Sequence, residues 1–189
     1  MRKHATLAAL LALAGLSACD AADDTDTTAV AGATKVDTGL DEALKNSPDV
    51  SGLAAAMERA GLAGIFSSPG GYTVIAPPNS AFEELTATGD GQDAVEPAIL
   101  AAMMREYLLP GQLDLDAIGK AIDDNGGPIT VATMGTGTIE FARDGEKIIA
   151  THSDGGTKAV LTGSSIQANN GALLLADGPL VAQPTGAAS

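Results

Sequence analysis

The chain has 189 residues, enough for one domain with an export signal and a tail. Apolar residues supply 45% of it, aromatics only 3%, and Trp is absent, so the core must come from Leu, Ile, Val, Ala and Met. A net charge of −14 repels phosphate backbones and anionic lipid surfaces, and so few aromatics offer no platform for stacked bases, which argues against a nucleic-acid partner.

In chain order, residues 1–18 read as a secretory leader. MRKH supplies the positive start, and Ala5 to Leu16 is an apolar stretch too short to span a bilayer. Leu16-Ser17-Ala18-Cys19 comes next and resembles the lipobox of bacterial lipoproteins. That resemblance implies cleavage before Cys19, acylation of the Cys19 thiol and an anchor in the cell-envelope membrane, on the periplasmic or cell-surface side. Cys19 is the single cysteine, so no intrachain disulfide is possible. Residues 19–38 then form the lipidated cysteine and an acidic, Thr-rich tether. It lacks a helical or strand period and is expected to be disordered.

A globular pattern runs over residues 39–184, followed by a flexible tail, 185–189. Leu40, Ala43 and Leu44 predict a short helix. Asp49 is placed to cap a second helix, with Val50, Leu53, Ala54 and Met57 on one face and Gly61 at its end. Tyr72 to Ala76 is a β-rich run, stopped by Pro77-Pro78. Ser80 to Glu83 has capping-box spacing and predicts another helix, with Phe82 as a core residue that fixes it to the sheet. Val95, Ile99, Ala102 and Met103 predict an apolar stripe on a further helix that ends before Pro110-Gly111.

The second half changes period. Ile129 to Thr133, Thr138 to Ala142, Lys147 to Thr151 and Lys158 to Thr162 are short strand candidates. Asp144-Gly145 and Asp154-Gly155-Gly156 mark hairpins between them. Leu173 to Leu175 and Leu180-Val181 are expected as closing strands. Helices first and a meander second predict an α+β domain.

Two segments carry a family resemblance. Tyr72, Thr73, Val74, Ala76, Pro77, Asn79, Ala81 and Phe82 match the first signature of fasciclin (FAS1) domains, with Asn79 expected to bond the backbone at its own turn into the helix. Asn170, Gly171, Leu174, Asp177, Leu180 and Val181 match the second. Tyr107 and Pro110-Gly111 match the central motif, where Leu108 stands in place of the usual His. Pro78 replaces a frequent Thr, and the second signature lacks its usual strand His. The resemblance spans about Leu40 to Gln183 and implies a wedge-shaped β-sandwich with surrounding helices. It also implies an adhesion role, with a protein or glycan as partner. The integrin-binding places of animal members fall at Tyr107-Leu108 and Ser165-Ile166, where polar or charged groups are missing, so that recognition is not carried over. The Glu96 to Leu100 run looks like such a motif but lies elsewhere in the domain.

Candidate chemistry is thin. His152 is the one histidine beyond the leader, and with Ser153 and Asp154 it reads as a polar hairpin end rather than a triad, which is assembled in space. Asp114, Asp116, Asp123 and Asp124 read as a solvated helix face with caps rather than a calcium site. Gly135-Thr136-Gly137 lacks the third Gly and the helix of a dinucleotide loop. Met103-Met104 reads as core. No catalytic residue, metal or cofactor is assigned. The reading is a membrane-anchored binding module, with a carrier of a small apolar ligand as the alternative.

Overall fold

A computed structural model describes residues 32–67, 70–82, 95–155 and 157–181. The strands are β1 (Ala33–Lys35), β2 (Tyr72–Ala76), β3 (Leu108–Pro110), β4 (Ile129–Ala132), β5 (Thr138–Asp144), β6 (Lys147–His152), β7 (Lys158–Ala168) and β8 (Gly171–Ala176). The helices are α1 (Leu40–Lys45), α2 (Ser51–Arg59), α3 (Pro97–Arg105) and α4 (Leu115–Asn125). Among the described residues, eight strands join one mixed sheet in the order β3-β2-β8-β7-β6-β5-β4, with β1 added beside β7. The architecture is α+β, as the residue pattern predicts.

Strand β7 organises the sheet. Its first residues pair with β6, from Thr151↔Lys158 to Ile148↔Leu161. An irregularity between Leu161 and Ser165, where Gly163 has φ 83°, ends that register. Beyond it, β7 pairs with β8 on one edge and in parallel with β1 on the other. The outermost strands approach each other again where the Met134 N–H donates to the Leu108 carbonyl (2.7 Å), so the sheet curls around one core.

Burial follows the two kinds of strand. Val74, Ile75 and Ala76 of β2 and Leu173 and Leu174 of β8 have no exposed surface, and α1 lies against β7 and β8. Such doubly covered strands read as continuous apolar runs. Each Leu or Ile so buried contributes about 1.5–3 kcal/mol. In β5 and β6 burial alternates, with Ile139, Phe141, Ile148 and Ala150 inward. The β5–β6 hairpin turns at Gly145, whose φ of 61° suits glycine.

Several expectations are corrected. The tether expected through residue 38 ends sooner, because Ala33–Lys35 is a strand. Its neighbours hold the same path: the Val36 N–H donates to the Gln167 carbonyl (2.8 Å), and the Ser165 N–H to the Gly32 carbonyl (2.9 Å). Three residues carry no readable period, and their partner lies far along the chain. Asp49 does not cap α2; it sits in a 3-10 turn, Pro48–Val50, with no side-chain capping bond. On α3, Ile99 is 52% exposed, while Leu100, Ala101, Met103 and Met104 face inward. Apolar residues ring that helix, so its sequence leaves the buried face open. Leu180-Val181 is not a strand, although Leu180 is buried. A 3-10 turn, Asn79–Ala81, replaces the start of the capping-box helix, and Glu83 lies outside the described residues. The strand β3 has no counterpart among the expected elements.

Candidate functional site

The signature residues are mostly clamps. Asn79 joins its turn to α2: its Oδ1 accepts from the Gly52 N–H (2.8 Å) and its Nδ2 donates to the Pro48 carbonyl (2.7 Å). It therefore bonds a segment 27–31 residues away, not its own turn as the signature suggests. Asn170 Oδ1 accepts from the Leu40 N–H at the start of α1, and its Nδ2 donates to the Phe66 carbonyl. A Cβ on Gly171 would collide with the Tyr72 carbonyl and lie 2.6 Å from Leu40, so glycine is required by close approach. Thr73 Oγ1 donates to the Gly111 carbonyl (2.8 Å) and accepts from the Leu113 N–H (2.7 Å). Asp177 accepts from the Val160 N–H (2.7 Å). Val74 and Ala76 are core, and Pro77 is buried at the strand end. Phe82 is fully buried and meets Tyr107 edge-on, ring centroids 6.0 Å apart. The Tyr107 hydroxyl accepts from the Val181 N–H (3.3 Å), and burial, the largest influence, pushes the phenol up despite backbone contacts at residues 180–181.

One polar cluster is invisible in the sequence. Glu106, just past the end of α3, is 7% exposed. Its Oε2 accepts from Thr133 Oγ1 (2.6 Å), the Gly137 N–H (3.1 Å) and His152 Nε2 (3.0 Å). Its Oε1 accepts from the Thr136 N–H (2.8 Å). Burial by itself would raise this carboxyl; the bonds from Thr133, Thr136, His152 and Gly137 outweigh it and hold the pKa at about 2, below the ordinary 4.5. The Gly135-Thr136-Gly137 loop is thus an anion cradle filled by the protein's own carboxylate. A Cβ on Gly137 would lie 2.5 Å from His152 Nε2 and 2.8 Å from Glu106 Oε2, and one on Gly135 would strike Glu106. The legible signal is a Gly-x-Gly turn between two strands and a lone Glu closing an apolar helix; nothing local joins them.

His152 is 1% exposed, so it is core rather than hairpin surface. Its Nδ1 accepts from the Asp154 N–H (3.1 Å), which leaves the ring proton on Nε2, pointing at Glu106. Both ring nitrogens are engaged. Ser153 Oγ accepts from the Thr138 N–H (3.0 Å), and Asp154 offers its amide to the ring. The three neighbours therefore form no nucleophile–base–acid relay.

An open cleft of about 540 Å³ lies between α4, the β5–β6 hairpin and the bulge of β7. Its floor includes Leu115, Ile148 and Leu161. Three of the ten Lys and Arg residues, Lys120, Arg143 and Lys147, line it, facing Asp116, Asp123 and Glu146. Arg143 makes a two-pronged bond to Asp123, both contacts 3.0 Å, and passes over Gly119, where a Cβ would come within 2.8 Å. The aspartates take helix roles as expected: Asp114 caps α4 by accepting from the Ala117 N–H (2.6 Å), and Asp124 pairs with Lys120. Among the described residues, no group of His, Cys, Asp and Glu is placed to hold a metal. None of their helices is long and apolar enough to cross a membrane. Met103 and Met104 are core. Cys19 lies outside the described residues.

Comparison with known proteins adds the family. The fasciclin domain model matches residues 48–182. A solved FAS1 domain pair from the insect cell adhesion molecule Fasciclin I has a similar fold, with a TM-score of 0.52 and 18% sequence identity over 70% of this chain. This chain spans 45% of that structure's length.

Proposed function

The chain belongs to the fasciclin domain family, and from that premise we propose that it is a binding module of the bacterial cell envelope, held to the membrane through acylated Cys19 and contacting a protein or glycan partner. Fasciclin domains are adhesion-related and generally non-enzymatic modules. The family match over residues 48–182 supports the adhesion part of this reading, and the anchor rests on the Leu16-Ser17-Ala18-Cys19 sequence alone. The burial of His152, 1% exposed, supports binding over catalysis, since the ring offers almost no surface to a substrate. The partner meets the cleft beside α4, where charges of both signs surround an apolar floor. The apolar-ligand carrier gains less: the apolar depression beside Met57 and Phe66 holds about 20 Å³, room for one water.

Two experiments test this. Retention of envelope proteins or polysaccharides by the acylated chain is compared with that of a Lys120→Glu/Lys147→Glu variant. Retention lost in the variant supports contact at the cleft; equal retention by both removes the cleft from the interface. For the anchor, the intact mass is expected to show acyl chains on a polypeptide starting at Cys19, with Cys19→Ala moving the protein out of the detergent phase. A mature chain that starts at Cys19 with a free thiol overturns the anchor.

A further inference from the structure

Asparagine followed by glycine is prone to deamidation, because no Cβ hinders the glycine nitrogen as it approaches the asparagine side-chain carbon. The chain holds two such pairs, Asn125-Gly126 and Asn170-Gly171. The fold treats them in opposite ways.

Asn170-Gly171 joins β7 to β8, and distant segments hold the groups that the reaction must move. The Asn170 side chain is fixed at both ends, Oδ1 by the Leu40 N–H, 130 residues away, and Nδ2 by the Phe66 carbonyl, 104 residues away. Its main-chain carbonyl accepts from the Tyr72 N–H (3.3 Å), and the Asn169 N–H donates to the Thr38 carbonyl (3.0 Å). Gln112 Nε2 straps the turn by donating to the carbonyls of Ala168 (3.1 Å) and Gly171 (3.2 Å). Gly171 is buried against Tyr72 and Leu40. Asn125, by contrast, is exposed at the end of α4. Its Nδ2 donates only to the carbonyls of Gly127 (3.4 Å) and Pro128 (2.9 Å), and the Gly126 N–H to that of Asp123 (3.1 Å). A Cβ on Gly126 would meet nothing within 4 Å. These bonds open when the last helical turn frays, with the sheet undisturbed.

We propose that Asn170 is a deamidation site that the folded domain keeps closed and that unfolding opens, so that an excursion to the unfolded chain becomes permanent. In the unfolded chain the Gly171 nitrogen gives its proton to hydroxide and attacks Asn170 Cγ. The new C–N bond closes a succinimide ring, and the side-chain nitrogen takes a proton back from water and leaves as ammonia. Water then opens the ring at either carbonyl, giving aspartate or isoaspartate. Water is the only co-reactant, and nothing is oxidised or reduced. Neither product fits the turn. Aspartate places an oxygen where Nδ2 donated, acceptor to acceptor against the Phe66 carbonyl. Isoaspartate routes the main chain through Cβ, which lengthens it beside a glycine that has no room for a side chain. Chemical change of the unfolded chain is one of the ways in which unfolding becomes irreversible.

The full-length chain tests this. It is incubated in mildly alkaline buffer, folded and in guanidinium chloride, and peptide masses follow the exchange of NH for O at both sites. Asn170 should react at least about a hundredfold more slowly in the folded chain than in the unfolded one, since a domain stable by about 5 kcal/mol or more is almost never open. The ratio at Asn125 should be smaller. After the denaturant is diluted away, the refolded yield should fall in step with reaction at Asn170, and in an Asn125→Ser variant the same decline should persist. A smaller ratio at Asn170, equal ratios at the two sites, or an Asn170 that stays intact in the unfolded chain overturns the proposal. So does recovery of the fold by chains modified at Asn170, or a decline that vanishes in the Asn125→Ser variant.

Discussion

The paired strands β2 and β8 and the meander β4–β6 are held by different means. The first pair is buried on both faces, and side chains from distant segments clamp it: Asn79, Asn170 and Thr73 each bond backbone 27–130 residues away. The meander is buried on one face, and its first hairpin is tied to α3 through a single charged group, Glu106. Apolar packing is spread over many residues and loses little when one contact shifts. A buried carboxylate concentrates its contribution in one group and makes it depend on protonation.

The largest expected effect tests the first region. Phe82→Ala removes a fully buried ring that meets Tyr107 edge-on, and should destabilise the protein by about 3–5 kcal/mol in denaturant unfolding. Little change there would mean that the layer does not depend on its aromatic pair.

Next comes the meander. The Glu106 carboxyl has a folded pKa of about 2 against an ordinary 4.5, so its contribution is complete above about pH 4.5 and is lost as pH falls through 2. The difference corresponds to roughly 3 kcal/mol. Glu106→Gln should lower stability at neutral pH by a similar amount and flatten this part of the acid profile; a variant with the parent's acid profile contradicts the assignment.

The smallest effect bounds the comparison from outside. Asp114→Ala removes the cap of α4, whose inner face of Ile118 and Ile122 remains packed, and should cost about 1 kcal/mol by the same unfolding measurement. A loss as large as that at Phe82 would show that α4 holds the sheet through its first turn.

What the sequence determined by itself is local. The β-rich run of Tyr72–Ala76, the alternation in β5 and β6, the Asp144-Gly145 turn and the Asp114 cap all come from side-chain period and turn chemistry within a few residues. The α+β class and the fasciclin resemblance come from their order. The tertiary structure alone decided which face of α3 is buried, because Pro97–Arg105 is apolar nearly all round. It decided that Ala33–Lys35 is a strand, since three residues gain their ladder only from β7. It also decided that Glu106 and His152, 46 residues apart, share one buried site. A carboxylate next to an apolar helix and a histidine in a hairpin each look like surface groups until the fold removes water from both. Only then must each find a partner, and the partner is chosen by proximity in space.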